Sequence, residues 1–214
     1  MVRWTLCSFV SLALFLSGCS VGIQGSGVSK TETREVGSFE SVSHDFVGEV
    51  LVRQGEDRSV VITADDNLLP VIETAVDEGV LVIKTKESFS SSVGIRVEVT
   101  APKLTSLTVK GVGSLQAEGL DAESLTVDLS GVGSLKASGK VKQVTANLSG
   151  VGGADLQELI ADSVTVSVSG VGGAKVHATQ SVEAKTSGVG GVVVTGEPAD
   201  RKTETSGIGS VEFK

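Results

Sequence analysis

The residues suited by type to chemistry are few, and each group lacks a partner that its chemistry requires. Gly150-Val151-Gly152-Gly153-Ala154-Asp155 brushes against the calcium-binding nonapeptide pattern, in which oxygens from successive turns cage each ion. That cage needs an acid in every turn, and the matching positions carry Gln116, Lys136, Lys175, Val193 and Glu212. Glycine-rich loops cradle phosphate where they lead into a helix N-terminus beside a lysine; these lead into strand-like runs. Glycan-cleaving solenoids place carboxylates, or a basic residue with an acid, on one exposed face. Asp128 shares a column with Thr108, Asn147, Ser167, Lys185 and Glu204, so its acids stand several rungs of about 4.8 Å apart. Asp121, Asp155, Glu158 and Asp162 can converge on a loop edge, where a solvated rim is the plainer expectation. His44 and His177 have no Cys, His or Asp at ligand spacing and read as surface histidines. Ser106, Thr126, Thr145 and Thr165 form an outward hydroxyl column, but the aromatic platforms that accompany sugar binding are scarce. No catalytic, cofactor-binding or metal-binding residue is assigned.

The elements that position these side chains come from a repeat. Six copies of a glycine corner begin at Gly111, Gly131, Gly150, Gly170, Gly188 and Gly207, and their second glycines are Gly113, Gly133, Gly152, Gly172, Gly190 and Gly209. Successive copies lie 20, 19, 20, 18 and 19 residues apart. A fixed period of that length indicates a solenoid, because one unit cannot bury its own apolar face and must stack on its neighbours. Counting back from each corner, the sixth, fourth and second residues are apolar: Leu125, Val127 and Leu129, then Val144, Ala146 and Leu148, then Val164, Val166 and Val168. Strand alternation points these inward. Val112, Val132, Val151, Val171, Val189 and Ile208 form a further stacked column, expected inward, as do Leu115, Leu135, Ala154, Ala174, Val192 and Val211. Both corner glycines are expected to supply φ > 0 and close stacking. In the last unit the inward set becomes Arg201, Thr203 and Thr205, a rung that tolerates water. The fold class is all-β: a parallel β-helix with rungs of about 19–20 residues, right-handed by the crossover rule. Ahead of the array, short strands flank one expected short helix over Asp65–Val76, with Leu68, Leu69, Ile72 and Val76 on one face and Gly79 closing it.

Composition narrows the partners. The net charge of −8 carries no basic stripe, so nucleic acid is not expected. Aromatics make up 3% of the chain, so Val, Leu, Ile and Ala must fill the core. At the N-terminus, Arg3 precedes an apolar run from Leu6 to Leu16 that is too short for a permanent membrane helix. Leu16-Ser17-Gly18-Cys19 resembles the lipobox of bacterial lipoproteins. The resemblance implies residues 1–18 as a signal peptide, Cys19 as the lipidated residue and the membrane as partner through that lipid. Residues 19–35 then read as a lipidated cysteine and flexible tether, and 36–214 as the β-helix domain. Cleavage would remove Trp4 from a chain with no Tyr. The mature protein is therefore expected to show almost no absorbance at 280 nm, and an ordinary 280 nm band from envelope-extracted material would show the signal retained.

The region from Val36 to Lys214 resembles the head GIN domain family, also called putative auto-transporter adhesin heads. The resemblance is carried by Asp65-Asp66-Asn67-Leu68-Leu69, by Leu81-Val82-Ile83, and by Ser-Gly-x-Gly corners starting at Ser130, Ser149, Ser169, Ser187 and Ser206. The third position is Val or Ile where the family has Ser, and Lys110 replaces Ser at the first corner. The family implies a right-handed β-helix in an envelope lipoprotein and brings no catalytic residues. The expected function is a non-enzymatic scaffold or adhesion-like surface, facing an unknown envelope protein or polysaccharide. Ser20 after the cysteine favours the outer membrane. Two alternatives stand beside it: a carbohydrate-active enzyme at the Asp155–Asp162 edge, and an accessory partner of envelope signalling proteins.

Overall fold

The computed structural model describes residues 22–214; the signal segment and Cys19 lie outside them. The chain forms a β-solenoid of about 5 turns. Four strands, Val112–Leu129, Val132–Leu148, Val151–Val168 and Val171–Thr186, each trace most of one rung. They stack parallel with the corners in register: Val112 on Val132, then Val151, then Val171. The uneven spacing of the copies is absorbed elsewhere. Register slips fall in mid-rung, between Ala117 and Leu120, Lys136 and Ser138, Leu156 and Ile160, and Ala161 and Ser163. Insertions are tolerated at a bend that carries no stacked corner.

The core is a set of aliphatic columns along the axis. Leu115, Leu135, Ala154, Ala174 and Val192 are buried, as are Ala117, Ala137, Leu156, Val176 and Val194 beside them. The two columns compensate in volume. Leu stands beside Ala in the first two rungs, and Ala beside Leu or Val in the next two, which keeps packing dense without aromatics. The Val112 column does not join them. Its members project outward, because Val112 lies three residues from buried Leu115, and an odd separation in a strand places two side chains on opposite faces.

The N-terminal half supplies two further rungs and a cap. Ser106–Val109 lies on Ser41–Asp45, and Val112–Leu129 begins on Val47–Gln54. Below these, Val80–Thr85 and Arg96–Ala101 continue the parallel stack. Antiparallel strands then end it: Ile72–Asp77 on Val80–Thr85, Ser59–Asp65 on Arg96–Ala101, and Ser29–Thr33 on Ser59–Asp65. An antiparallel, charged edge strand blocks further parallel addition.

Two expectations are corrected in this region. The helix over Asp65–Val76 is only a 3-10 turn at Leu69–Val71, and Ile72–Asp77 is a strand. Glu78 and Gly79, with φ of 47° and 79°, form the two-residue turn of a hairpin that pairs Asp77 with Val80. Gly79 therefore closes a hairpin where a helix end was expected. The described part of the tether is also structured. Ile23–Gln24 pairs with Phe89–Ser90, Ser29–Thr33 forms the capping strand, and Asn67 Nδ2 donates to the Gln24 carbonyl at 2.8 Å. Alternating charges on an edge strand resemble a linker in sequence.

At the far end, Asp200–Thr205 is exposed throughout, as expected of a terminal rung. The Arg201 guanidinium covers the Phe213 ring at 4.5 Å and its Nε donates to the Pro198 carbonyl at 2.8 Å.

Candidate functional site

The glycine corners build the most distinctive surface of the molecule. At the first five of the six, two successive amides share a carbonyl of the rung below: Ser130 N and Gly131 N donate to Val109 O at 2.9 and 3.0 Å. Val132 N then donates to Gly111 O at 3.0 Å. A Cβ at Gly131 would land on the Gly111 carbonyl oxygen, and one at Gly133 on that of Gly113. Only the second glycine takes positive φ, as at Gly133 with +150°, and it does so at all six corners but the last; the first is required by close approach alone. Backbone thus stacks on backbone at two positions of three, and the side chain between them points to solvent.

That side chain is Val in six rungs and Ile in the last. Val47, Val112, Val132, Val151, Val171 and Val189 are 48–56% exposed and Ile208 is 78% exposed. They form a straight apolar ridge. Val47 belongs to a seventh corner, Phe46-Val47-Gly48, in register with Gly111-Val112-Gly113. The sequence signal for it was Val-Gly two residues before an apolar position, hidden because Phe46 replaces the first glycine and the cap separates it from the array.

Beside the ridge runs a groove of about 580 Å³, floored by Ser134, Gly153, Gly173, Gly191 and Ser210. Its far wall is Lys136, Asp155, Lys175, Val193 and Glu212. Ridge, floor and charged wall occupy alternate, outward positions of the same strands, so one register sets all three.

The acids expected on one loop edge separate. Asp155 lines this groove, and Glu158 pairs with Lys136 at 3.0 Å, a contact that raises the lysine's pKa. Asp121 and Asp162 line a different cleft of about 720 Å³ with Glu123, Lys140 and Lys142. There Lys142 pairs with Glu123 at 2.8 Å, and the Gln54 side chain bonds both the N–H and the carbonyl of Asp121. Asp128 accepts from Asn147 Nδ2 at 2.9 Å in the adjacent rung. Among the described residues, no three His, Cys, Asp or Glu side chains group as a metal site.

Two polar residues were misjudged from sequence. His44 is fully buried, in phase with Val42 and Phe46. Its Nε2 donates to the Gly48 carbonyl at 3.0 Å, its ring lies 4.5 Å from that of Phe46, and Nδ1 has no partner. Burial lowers its pKa, opposed by the Gly48 hydrogen bond. His177 is half-buried, with Nδ1 3.4 Å from Thr195 Oγ1. Asp65, at the start of the expected helix, is a buried carboxylate that ties the N-terminal cap of the solenoid together. It accepts from Ser91 Oγ at 2.5 Å, Gly27 N at 2.7 Å and Ser92 N at 3.1 Å. The Ser91 bond is the main cause of its lowered pKa.

A search of curated proteins found no match. Among solved structures, the fold is similar to a putative adhesin from Bacteroides fragilis, with TM-score 0.78 and 24% identity over 90% of this chain and 100% of that one. A putative adhesin from Parabacteroides merdae matches with TM-score 0.58 and 20% identity, covering 90% of this chain and 98% of that one. A putative lipid binding protein from Parabacteroides distasonis matches with TM-score 0.57 and 18% identity, covering 90% and 99%. At these identities the likeness is one of fold. The family described as "putative auto-transporter adhesin, head GIN domain" matches residues 38–198, which include five of the six glycine corners, and the chain belongs to that family.

Proposed function

We propose that this chain is a non-enzymatic protein of the bacterial cell envelope, lipid-anchored through Cys19, whose ridge-and-groove face binds an envelope or surface ligand. The observation that carries the binding role is the ridge itself. Exposed Val or, at the last corner, Ile recurs at every corner although the core columns behind are already filled. A contiguous apolar row on a protein surface marks an interaction site. Membership of an adhesin family supports the same role. The candidate carboxylates separate, with Asp155 in the groove, Asp121 and Asp162 in a different cleft and Glu158 held by Lys136, which favours binding over turnover. The anchor is supported by the Leu16-Ser17-Gly18-Cys19 motif, and outer-membrane placement by Ser20.

Two measurements test this reading. Radiolabelled palmitate is expected to enter the wild-type protein and not the Cys19→Ala variant; no label in the wild type, with a known lipoprotein labelled in parallel, overturns the anchor. Beads carrying the protein are expected to bind producing cells, and the Val151→Glu/Val171→Glu variant to lose at least about tenfold of that binding, as truncation at a contact centre does. Both sites are exposed, so the melting temperature should not move. Full binding by the variant would overturn the assignment of this face.

A further inference from the structure

We propose that the valine ridge and the charged column beside it form a homotypic docking face, on which a second copy of this chain packs with its solenoid axis reversed. The inference rests on the reading of this face as the binding surface and names its partner.

The order of charges selects the arrangement. Along the column, rung by rung, stand Gln116, Lys136, Asp155, Lys175, Val193 and Glu212. A partner running in the same direction, with its column against this one, would set Lys136 on Lys136, Asp155 on Asp155 and Lys175 on Lys175. Shifting that partner to bring the ridges together takes the charged columns out of contact. A two-fold axis along the strands, passing between the Val151 and Val171 rungs, engages both at once. It sets Asp155 against the second copy's Lys175, and Lys175 against its Asp155. Lys136 then meets Val193, and Gln116 meets Glu212. On the ridge, Val151 meets Val171, Val132 meets Val189 and Val112 meets Ile208.

The two central charges are also available. Lys136 is engaged by Glu158, and Lys185 by Glu183. Asp155 and Lys175 are neighbours across the rung, yet neither belongs to an ion pair among the described residues. A reversed partner gives each an opposite charge.

The contact is small. Six rungs at about 4.8 Å give a strip of about 24 Å, and three columns give a width of about 15 Å, so each copy buries roughly 400 Å². This is the size of a weak, transient contact, which gains strength when many copies face one another. Reversed axes put the N-terminal ends of the two copies at opposite ends of the pair. Anchored chains would therefore meet across two apposed surfaces.

The test uses the full-length chain in detergent, followed by sedimentation velocity up to about 100 µM, where a weak specific contact is populated. Wild type is expected to self-associate. Asp155→Lys and Lys175→Asp are each expected to weaken association about tenfold, because two opposed pairs become like-charged. The double exchange is expected to restore it. Mixing Val132→Cys with Val189→Cys should give mixed disulfide dimers above the wild-type background. Dimers of Val132→Cys alone, without the mixed species, overturn the reversed arrangement. A wild-type chain that stays monomeric at about 100 µM overturns the homotypic partner. Loss of cell binding by Val151→Glu/Val171→Glu beads alongside a monomeric wild type would keep the face and reject the partner, so the two failures are distinct.

Discussion

Replacing Gly152 with alanine is expected to destabilise the solenoid by at least about 3 kcal/mol, or to prevent folding, from two effects that act together. Gly152 holds φ +137°, a conformation that costs an L-residue about 1–3 kcal/mol. The added Cβ would also overlap the Gly133 carbonyl oxygen in the rung below. Relieving that overlap means parting two rungs at the corner, where Ser149 N and Gly150 N share the Leu129 carbonyl and Val151 N bonds Gly131 O. Each such bond contributes about 1 kcal/mol net. In a stacked array, stability resides largely in the contacts between neighbouring units, so a wedge in the middle separates two halves that each lose a face. The adjacent glycine gives the control. Gly153 occupies an outward position whose column holds Ser114, Ser134 and Ser210 in other rungs. A Cβ at Gly153 would lie 2.9 Å from the Gly173 carbonyl oxygen, a milder approach than that of Gly152 on Gly133, and no positive φ is involved, so Gly153→Ser should cost less, about 1–2 kcal/mol. Urea melts followed by circular dichroism measure both, and equal losses from the two variants would sink the argument.

The same corner shows what a sequence can and cannot convey. The motif repeats visibly because backbone stacking tolerates no side chain at two positions, so the array, its direction and all but one of its inward columns followed from spacing. The orientation of the valine between the glycines was misjudged, although the information was present: three residues separate Val151 from buried Ala154, and that count is odd. Treating apolar residues as core residues overrode the geometry, and with it the candidate site was missed. The cap was less legible for a different reason. Leu68, Leu69, Ile72 and Val76 fit a helix face, while Ile72, Thr74 and Val76 fit a strand, and only the pairing with Val80–Thr85 decides between them. His44 and Asp65 belong to the same class. Their burial depends on strands distant in sequence, Val80–Thr85 for one and the loop at Ser91–Val93 for the other.

Acid is expected to open the N-terminal part of the solenoid before the array, in two steps set by those two residues. The folded pKa of His44 lies below its usual 6.5, because protonation would bury a charge beside Phe46, a desolvation cost that outweighs the gain from the backbone carbonyls near the ring. Between the two pKa values the unfolded chain holds a proton that the folded chain lacks. Stability is thus complete above about pH 6.5 and falls as the pH drops toward the folded value, with a limiting slope of about 1.4 kcal/mol per pH unit for one proton. Asp45 next to it opposes this shift, but desolvation is the larger cause. Asp65 follows at lower pH. Its folded pKa lies below 3.8 because Ser91, Gly27 and Ser92 donate to the carboxylate, so its contribution is complete above that value and is lost as the pH falls through the folded pKa. The first step should vanish in His44→Leu, whose stability is expected to be flat between about pH 6.5 and 5 while wild type declines. Hydrogen exchange should place the wild-type opening at Ser41–Asp45 and the strands stacked on it, with the Val151–Val168 rung still protected. A wild-type profile flat over that interval, or a His44→Leu profile that declines in parallel with it, would show that the buried imidazole does not control the acid response.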